Sequence, residues 1–320
     1  MKKITRKLLL SVLSVVLTVV ALGTTTFAWF TITNTATVQP FEADIIADSG
    51  IQIAIGTAGS DPLTLEWKST LTTLDIINYM EQTYGVDGFR FNHVTTPDGR
   101  NFFTLGTIGV GDGTTSGYLT LPLHFRSDST SQINWSYVSL TGSDSSFTTR
   151  VAFTDSKGVA RSANSALLVN PADAMRISIT GNQIVEVETV PTVLNVTTAY
   201  ENPLSTTNTV LGELAAADLQ GTTELVQGIP TNIGVNGAQN YFYRSNAILP
   251  GGSDSVSTVA TLTSITSSLI LDMTADQSAI ADAEYYGQVT VRIWFEGWDA
   301  EGYNALLGKT ILASFRFQGA

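Results

Sequence analysis

Val289-Thr290-Val291-Arg292-Ile293-Trp294-Phe295-Glu296, followed after a turn by Ile311-Leu312-Ala313-Ser314-Phe315-Arg316-Phe317-Gln318, decides the fold class of this chain. In the first run Val289, Val291, Ile293 and Phe295 alternate with Thr290, Arg292, Trp294 and Glu296. In the second, Ile311, Ala313, Phe315 and Phe317 alternate with Leu312, Ser314, Arg316 and Gln318. Side chains on a strand switch faces at every residue, so each run is a strand with one apolar face. Two long strands at the end of the sequence build the C-terminus into a sheet.

Working outward, Leu119, Leu121, Leu123 and Phe125 share one face of a third strand. Tyr118, Thr120, Pro122, His124 and Arg126 share the other, and Pro122 predicts an edge or a bulge because it has no N–H to donate. Ile51, Ile53 and Ile55 repeat the pattern. Trp135–Leu140, Val151–Phe153, Met175–Ile179, Ile184–Glu188, Tyr241–Arg244 and Leu269–Met273 read as shorter strands between Ser, Asp, Gly and Asn clusters. One helix stands out, Thr73–Tyr84. Thr72 and Asp75 form a capping box, Leu74, Ile77 and Met80 follow helical spacing, and Gly85 ends it. Val210–Leu219 and Ser278–Tyr286 are weaker helical stretches in the softer parts of the chain. The prediction is an all-β, jelly-roll-like sandwich with a few short helices in insertions. With no fixed-period repeat and no linker, residues 29–320 read as a single elaborated domain.

Residues 1–28 read differently. Lys2, Lys3, Arg6 and Lys7 precede Leu8–Leu22, apolar apart from Ser11, Ser14 and Thr18, and Thr24-Thr25-Thr26-Phe27-Ala28 closes the stretch. That order is a secretory signal, with a signal peptidase cutting between Ala28 and Trp29. The alternative is an uncleaved anchor helix with Trp29 and Phe30 at a membrane interface. Either way the remaining body is secreted or displayed at the cell surface, and the membrane is met only through the leader.

Composition narrows the chemistry. The net charge is −12, and removing four basic leader residues leaves 12 Lys+Arg against 28 Asp+Glu, or −16. Such a body repels nucleic acid. Cysteine is absent, which removes disulfides, thiolate metal sites and thiol catalysis, and His93 and His124 are the whole imidazole supply. There is no His-Glu-x-x-His and no Gly-x-Ser-x-Gly. Gly302–Thr310 ends in Gly-Lys-Thr but is one residue too long for a phosphate loop. Gly109-Val110-Gly111-Asp112-Gly113 lacks the third glycine of a dinucleotide fingerprint and reads as a flexible loop. The reading is therefore not an enzyme.

Weaker constellations remain. Glu296, Asp299 and Glu301 crowd one turn and are candidate Ca²⁺ ligands, against the plainer reading of an acidic surface turn. His124 beside Arg126 reads as a solvated histidine, and Glu186 with Glu188 as the wet face of a strand. Trp294, Trp298 and Tyr303 are either an exposed aromatic platform for a glycan or protein partner, or, by preference for Trp294, buried under a second layer.

Thr26-Phe27-Ala28-Trp29-Phe30-Thr31, Asn34-Thr35-Ala36-Thr37 and Gly50-Ile51-Gln52-Ile53-Ala54-Ile55 resemble exported Gram-positive proteins related to TasA and camelysin. Tyr118–Ser127, Ala174–Ile179 and Val291–Asp299 look like segments of surface proteins in that wider group. The resemblance implies a biofilm-matrix or cell-surface protein whose jelly-roll subunits self-associate into fibres by donating an N-terminal strand to a neighbour. The candidate donor is Trp29–Ile46, with Phe30, Ile32, Val38, Phe41 and Ile45 as its apolar contacts. The competing arrangement is that this segment pairs with its own sheet as a first strand. The competing function is an adhesin or binding module for a glycan, Ca²⁺ or a protein partner.

Overall fold

Alternating apolar side chains build two sheets, and the computed structural model describes them over residues 42–48, 50–85, 89–105, 110–202, 225–226, 229–230, 237–246 and 258–320. The first sheet contains β1 (Glu42–Ala47), β3 (Thr70–Leu71), β8 (Gln132–Gly142), β17 (Ser268–Asp272) and β19 (Ile311–Gly319), in the order β17-β8-β19-β1-β3. The second contains β2 (Ile51–Ile55), β4 (His93–Thr95), β5 (Phe102–Leu105), β6 (Val110–Thr114), β7 (Leu119–Ser127), β13 (Met175–Val187), β14 (Val190–Glu201) and β18 (Tyr285–Glu296). Its centre is β18, with β13 and then β14 on one side. On the other side β18 meets β7 along Tyr285–Ile293 and β4 at Phe295–Glu296. Short ribbons complete the described strands: β9 (Ser145–Thr148) with β12 (Ala166–Val169), β10 (Phe153–Thr154) with β11 (Ala160–Arg161), and β15 (Leu225–Val226) with β16 (Ile229–Pro230).

The sheets meet through their apolar faces. Phe125 of β7 and Phe317 of β19 pack edge to face with ring centroids 5.0 Å apart, and Trp135 of β8 lies beside Tyr200 of β14. Side chains from both sheets form one continuous buried cluster. This is the expected all-β sandwich, with one parallel pair, β1–β19, in an otherwise antiparallel first sheet. Pro122 also falls where its chemistry requires. β2 ends at Ile55 opposite Leu123, and Gly56 N–H donates to the Pro122 carbonyl just past that end. The proline's missing donor therefore faces the side where the partner strand has stopped.

Helix α1 (Thr73–Tyr84) has the expected capping box and Gly85 end, but it presents a different face. Ile76 and Met80 are buried, whereas Leu74 is 64% exposed. The cap follows directly on buried Leu71 of β3, and that junction fixes which side of the first turn meets the core. Tyr241–Arg244 is not a strand but part of α2 (Ala238–Asn246). Gly237, at φ +74°, turns the chain there, Tyr241 N–H donates to the Gly237 carbonyl, and the Tyr241 ring packs against Phe153.

Other corrections concern length. Met175–Ile179 and Ile184–Glu188 belong to one strand, β13, because Gly181 does not interrupt it. A Cβ at Gly181 would lie 2.2 Å from the Ile270 carbonyl oxygen, so glycine lets β17 cross close by. Glu188 falls in the turn to β14 instead of on a strand face with Glu186, and Glu188 and Thr189 have φ of 49° and 70°. Val110–Thr114, expected as part of a loop, pairs with β5. Val151–Phe153 contracts to β10. Ser278–Tyr286 contracts to helix α3 (Ser278–Ala281), closed by Asp282 in the left-handed region. The expected helix Val210–Leu219 lies outside the described residues.

Candidate functional site

The turn after β18 carries the three candidate Ca²⁺ residues, Glu296, Asp299 and Glu301, at one end of the second sheet. Glu296 and Asp299 are almost fully buried, as is Arg176 at the start of β13. Register brings them together: Arg176 sits opposite Trp294 on β18 and opposite Glu201 on β14. The Arg176 guanidinium contacts Glu201 at 2.9 Å and Asp299 at 3.5 Å. Backbone bonds seat the turn, from Glu296 N–H to the Ala174 carbonyl and from Gly297 N–H to the Val94 carbonyl.

Each carboxylate of the candidate Ca²⁺ turn meets protein partners. Glu296 Oε2 accepts from the Trp294 indole N–H at 3.0 Å, and Oε1 accepts from Trp298 N–H at 3.2 Å. Asp299 Oδ1 accepts from Glu301 N–H at 2.9 Å, while Oδ2 faces Arg176. The Glu301 carboxylate turns the other way and accepts from the Ser156 hydroxyl. Three neighbours in sequence thus serve three different partners, and among the described residues no group of acidic or imidazole side chains is placed to share a metal ion. Nor is it a surface turn. The strand's reversal tucks Glu296 and Asp299 under β4 and α2, and only Glu301 remains partly exposed.

Burial also sets the protonation of this cluster. Asp299 is pushed up to about 8, first by loss of solvent and against the pull of Arg176, with Glu296 and Glu201 adding like-charge repulsion. Glu296 is raised for the same first reason. One guanidinium faces three carboxylates here, and a proton on Asp299 relieves the imbalance. The arrangement clasps β13, β14 and the β18 turn together. It has the chemistry of a structural tie.

The aromatic platform is likewise buried. Trp294 packs edge to face on Phe102 at 5.3 Å and shares a small cluster with Val94 and Tyr118. The cover on the second face is therefore the β4–β5 hairpin. Trp298 and Tyr303 are buried as well.

His124, expected in solvent, is completely buried. Residues 56–68 and α3 cover its face of β7. Gln288 donates to the Tyr286 hydroxyl at 2.6 Å, which in turn lies 2.7 Å from His124 Nδ1. His124 Nε2 lies 3.0 Å from the Gly56 carbonyl and 3.2 Å from that of Thr57. Two carbonyl acceptors require the proton on Nε2, so Nδ1 accepts from Tyr286. Beside it the Arg126 guanidinium stacks 4.7 Å over the Trp67 ring. The pattern of alternation located His124 on the second face but carried no sign that a loop would seal that face. His93, the other imidazole, is held by the Gly302 carbonyl and Phe295, and burial lowers it to about 4.

Of the candidate donor residues, only Ile45 lies among the described residues. It is buried in β1, opposite Phe315 on one side and Leu71 on the other. From Glu42 onward the segment is thus paired within its own sheet. Phe30, Ile32, Val38, Phe41, the Ala28–Trp29 junction and the leader lie outside the described residues. No family model, curated protein or solved structure matches the chain.

Proposed function

We propose that this chain is an exported structural protein of the cell surface or extracellular matrix, which assembles by pairing backbone edges between subunits. The observation that carries this reading is the join between leader and sandwich. A secretory signal ends at Ala28, and the first strand of the sandwich begins at Glu42. On this reading cleavage after Ala28 frees the N-terminus of residues 29–41, and Phe30, Ile32, Val38 and Phe41 fill a neighbour's sheet. Ile45 is removed from the donor set because β1 uses it at home. The burial of Trp294, Trp298 and Tyr303 weighs against the adhesin alternative, whose aromatic platform required those side chains to be accessible.

The test is to collect the protein from culture medium, determine its N-terminus by mass spectrometry and image it by negative-stain electron microscopy. A chain beginning at Trp29 that forms filaments, and loses them when residues 29–41 are deleted, supports the reading. A monomer in the medium with no filaments at any concentration refutes it.

A further inference from the structure

β13 and β14 run past the rest of their sheet. β18 pairs with β13 only from Met175 to Gly181, and past Gln183 and Ile184, which bond to Leu269 and Asp272 of β17, the two strands run on to their turn as a ribbon. Both faces of that ribbon expose aliphatic side chains. Ile184 and Val193 are 55% and 62% exposed on one face, and Val187, Val190 and Leu194 are 46%, 60% and 43% exposed on the other. A two-stranded ribbon in water is marginal by itself, and a long apolar edge is a template for another strand.

The outer edge of β14 has a definite pattern. Glu201 N–H donates to the Leu262 carbonyl and Leu262 N–H to the Ala199 carbonyl, so the odd-numbered residues of β14 point their backbone away from β13. Arg100 reaching the Asn195 carbonyl at 3.4 Å agrees with this parity. At one end Pro191 offers no donor, and at the other Ala199 is taken by Leu262. Between them Val193, Asn195 and Thr197 form a window, open among the described residues, that is symmetric about Asn195.

We infer that this edge pairs antiparallel with the same edge of a second copy of the chain, with Asn195 opposite Asn195 and Val193 opposite Thr197. A twofold contact needs a self-complementary patch, and a window closed at matching distances on both sides of its centre is one. The pairing forms about six backbone hydrogen bonds, two at each of three facing pairs. Arg100 does not prevent it, since a carbonyl oxygen accepts two bonds. Charge also favours a second copy. Val190–Tyr200 contains no charged residue in a chain of net charge −12, and the antiparallel arrangement sends the Glu186 and Glu188 tips to opposite ends. Val190, Val193 and Leu194 of β14 are the exposed aliphatics next to this edge, and a second copy paired there covers them. The biological use of this contact rests on the reading above, but the contact itself does not need the N-terminal segment.

The experiment is sedimentation of the exported chain together with single-cysteine cross-linking, since the chain has no cysteine of its own. The wild type is expected to dimerise at about micromolar concentration. Val193→Pro removes only an outward N–H and is expected to be monomeric. Asn195→Cys is expected to form a covalent dimer under mild oxidation much faster than Leu168→Cys, an exposed control elsewhere on the molecule. Deleting residues 29–41 is expected to leave the dimer intact, and a full-length chain that dimerises but forms no filaments counts against the proposed function alone. A wild type that stays monomeric to ~100 µM, with Asn195→Cys cross-linking no faster than Leu168→Cys, overturns the inference. If Val193→Pro fails to fold, the cysteine comparison decides.

Discussion

Asp299 holds its proton to about pH 8 in the folded chain, against 3.8 ordinarily, chiefly because it is buried. The folded state therefore binds more protons than the unfolded state between those values, and this contribution to stability is full below about pH 4 and lost as pH rises toward 8. His124 works in the opposite sense. Burial lowers it, so its contribution is present above the ordinary value of 6.5 and lost as the solution is acidified. Thermal melts across pH should separate the two. Asp299→Asn is expected to flatten the decline between pH 4 and 8 while keeping an acceptor for Glu301 N–H. His124→Phe is expected to destabilise the protein by roughly 1–3 kcal/mol, because the Gly56 and Thr57 carbonyls lose a buried donor. A profile unchanged by Asp299→Asn would show that Arg176 holds this carboxylate ionised.

The hairpin turn and the crossing at Gly181 belong to the scale of elements. Glu188 and Thr189 both occupy positive φ, where a two-residue hairpin prefers Asn-Gly. Replacing Glu188-Thr189 by Asn-Gly is expected to raise the melting temperature by a few degrees, on the order of 1 kcal/mol. Gly181→Ala is expected to lower it by more, because the new Cβ meets the backbone of Ile270 and cannot be relieved by a rotamer change. These elements also mark the limit of what sequence alternation reveals. Leu119–Phe125, Val289–Phe295 and Ile311–Phe317 were legible because a strand facing a core repeats every second residue. The burial of His124, Glu296 and Asp299 was not, because it depends on which loop or hairpin folds over the second face, and that is a property of distant segments. Tyr241–Arg244 misled for a related reason: aromatic residues favour strands locally, but Gly237 and the Phe147–Tyr303 ring cluster select the helix. The acidic turn showed its residue types without showing that each carboxylate would be claimed by a different neighbour.

For the whole molecule, the described part of this cysteine-free, acidic chain keeps His124, Arg176, Glu296 and Asp299 inside and exposes aliphatic side chains along the β13–β14 ribbon. That division is consistent with the assembly proposed above. The most direct measurement is electron microscopy of the chain recovered from the medium, beside the same chain lacking residues 29–41. Filaments from the first and none from the second, with the mature N-terminus at Trp29, is the predicted result. Filaments that persist without residues 29–41, or a protein that never leaves the cell, would contradict it.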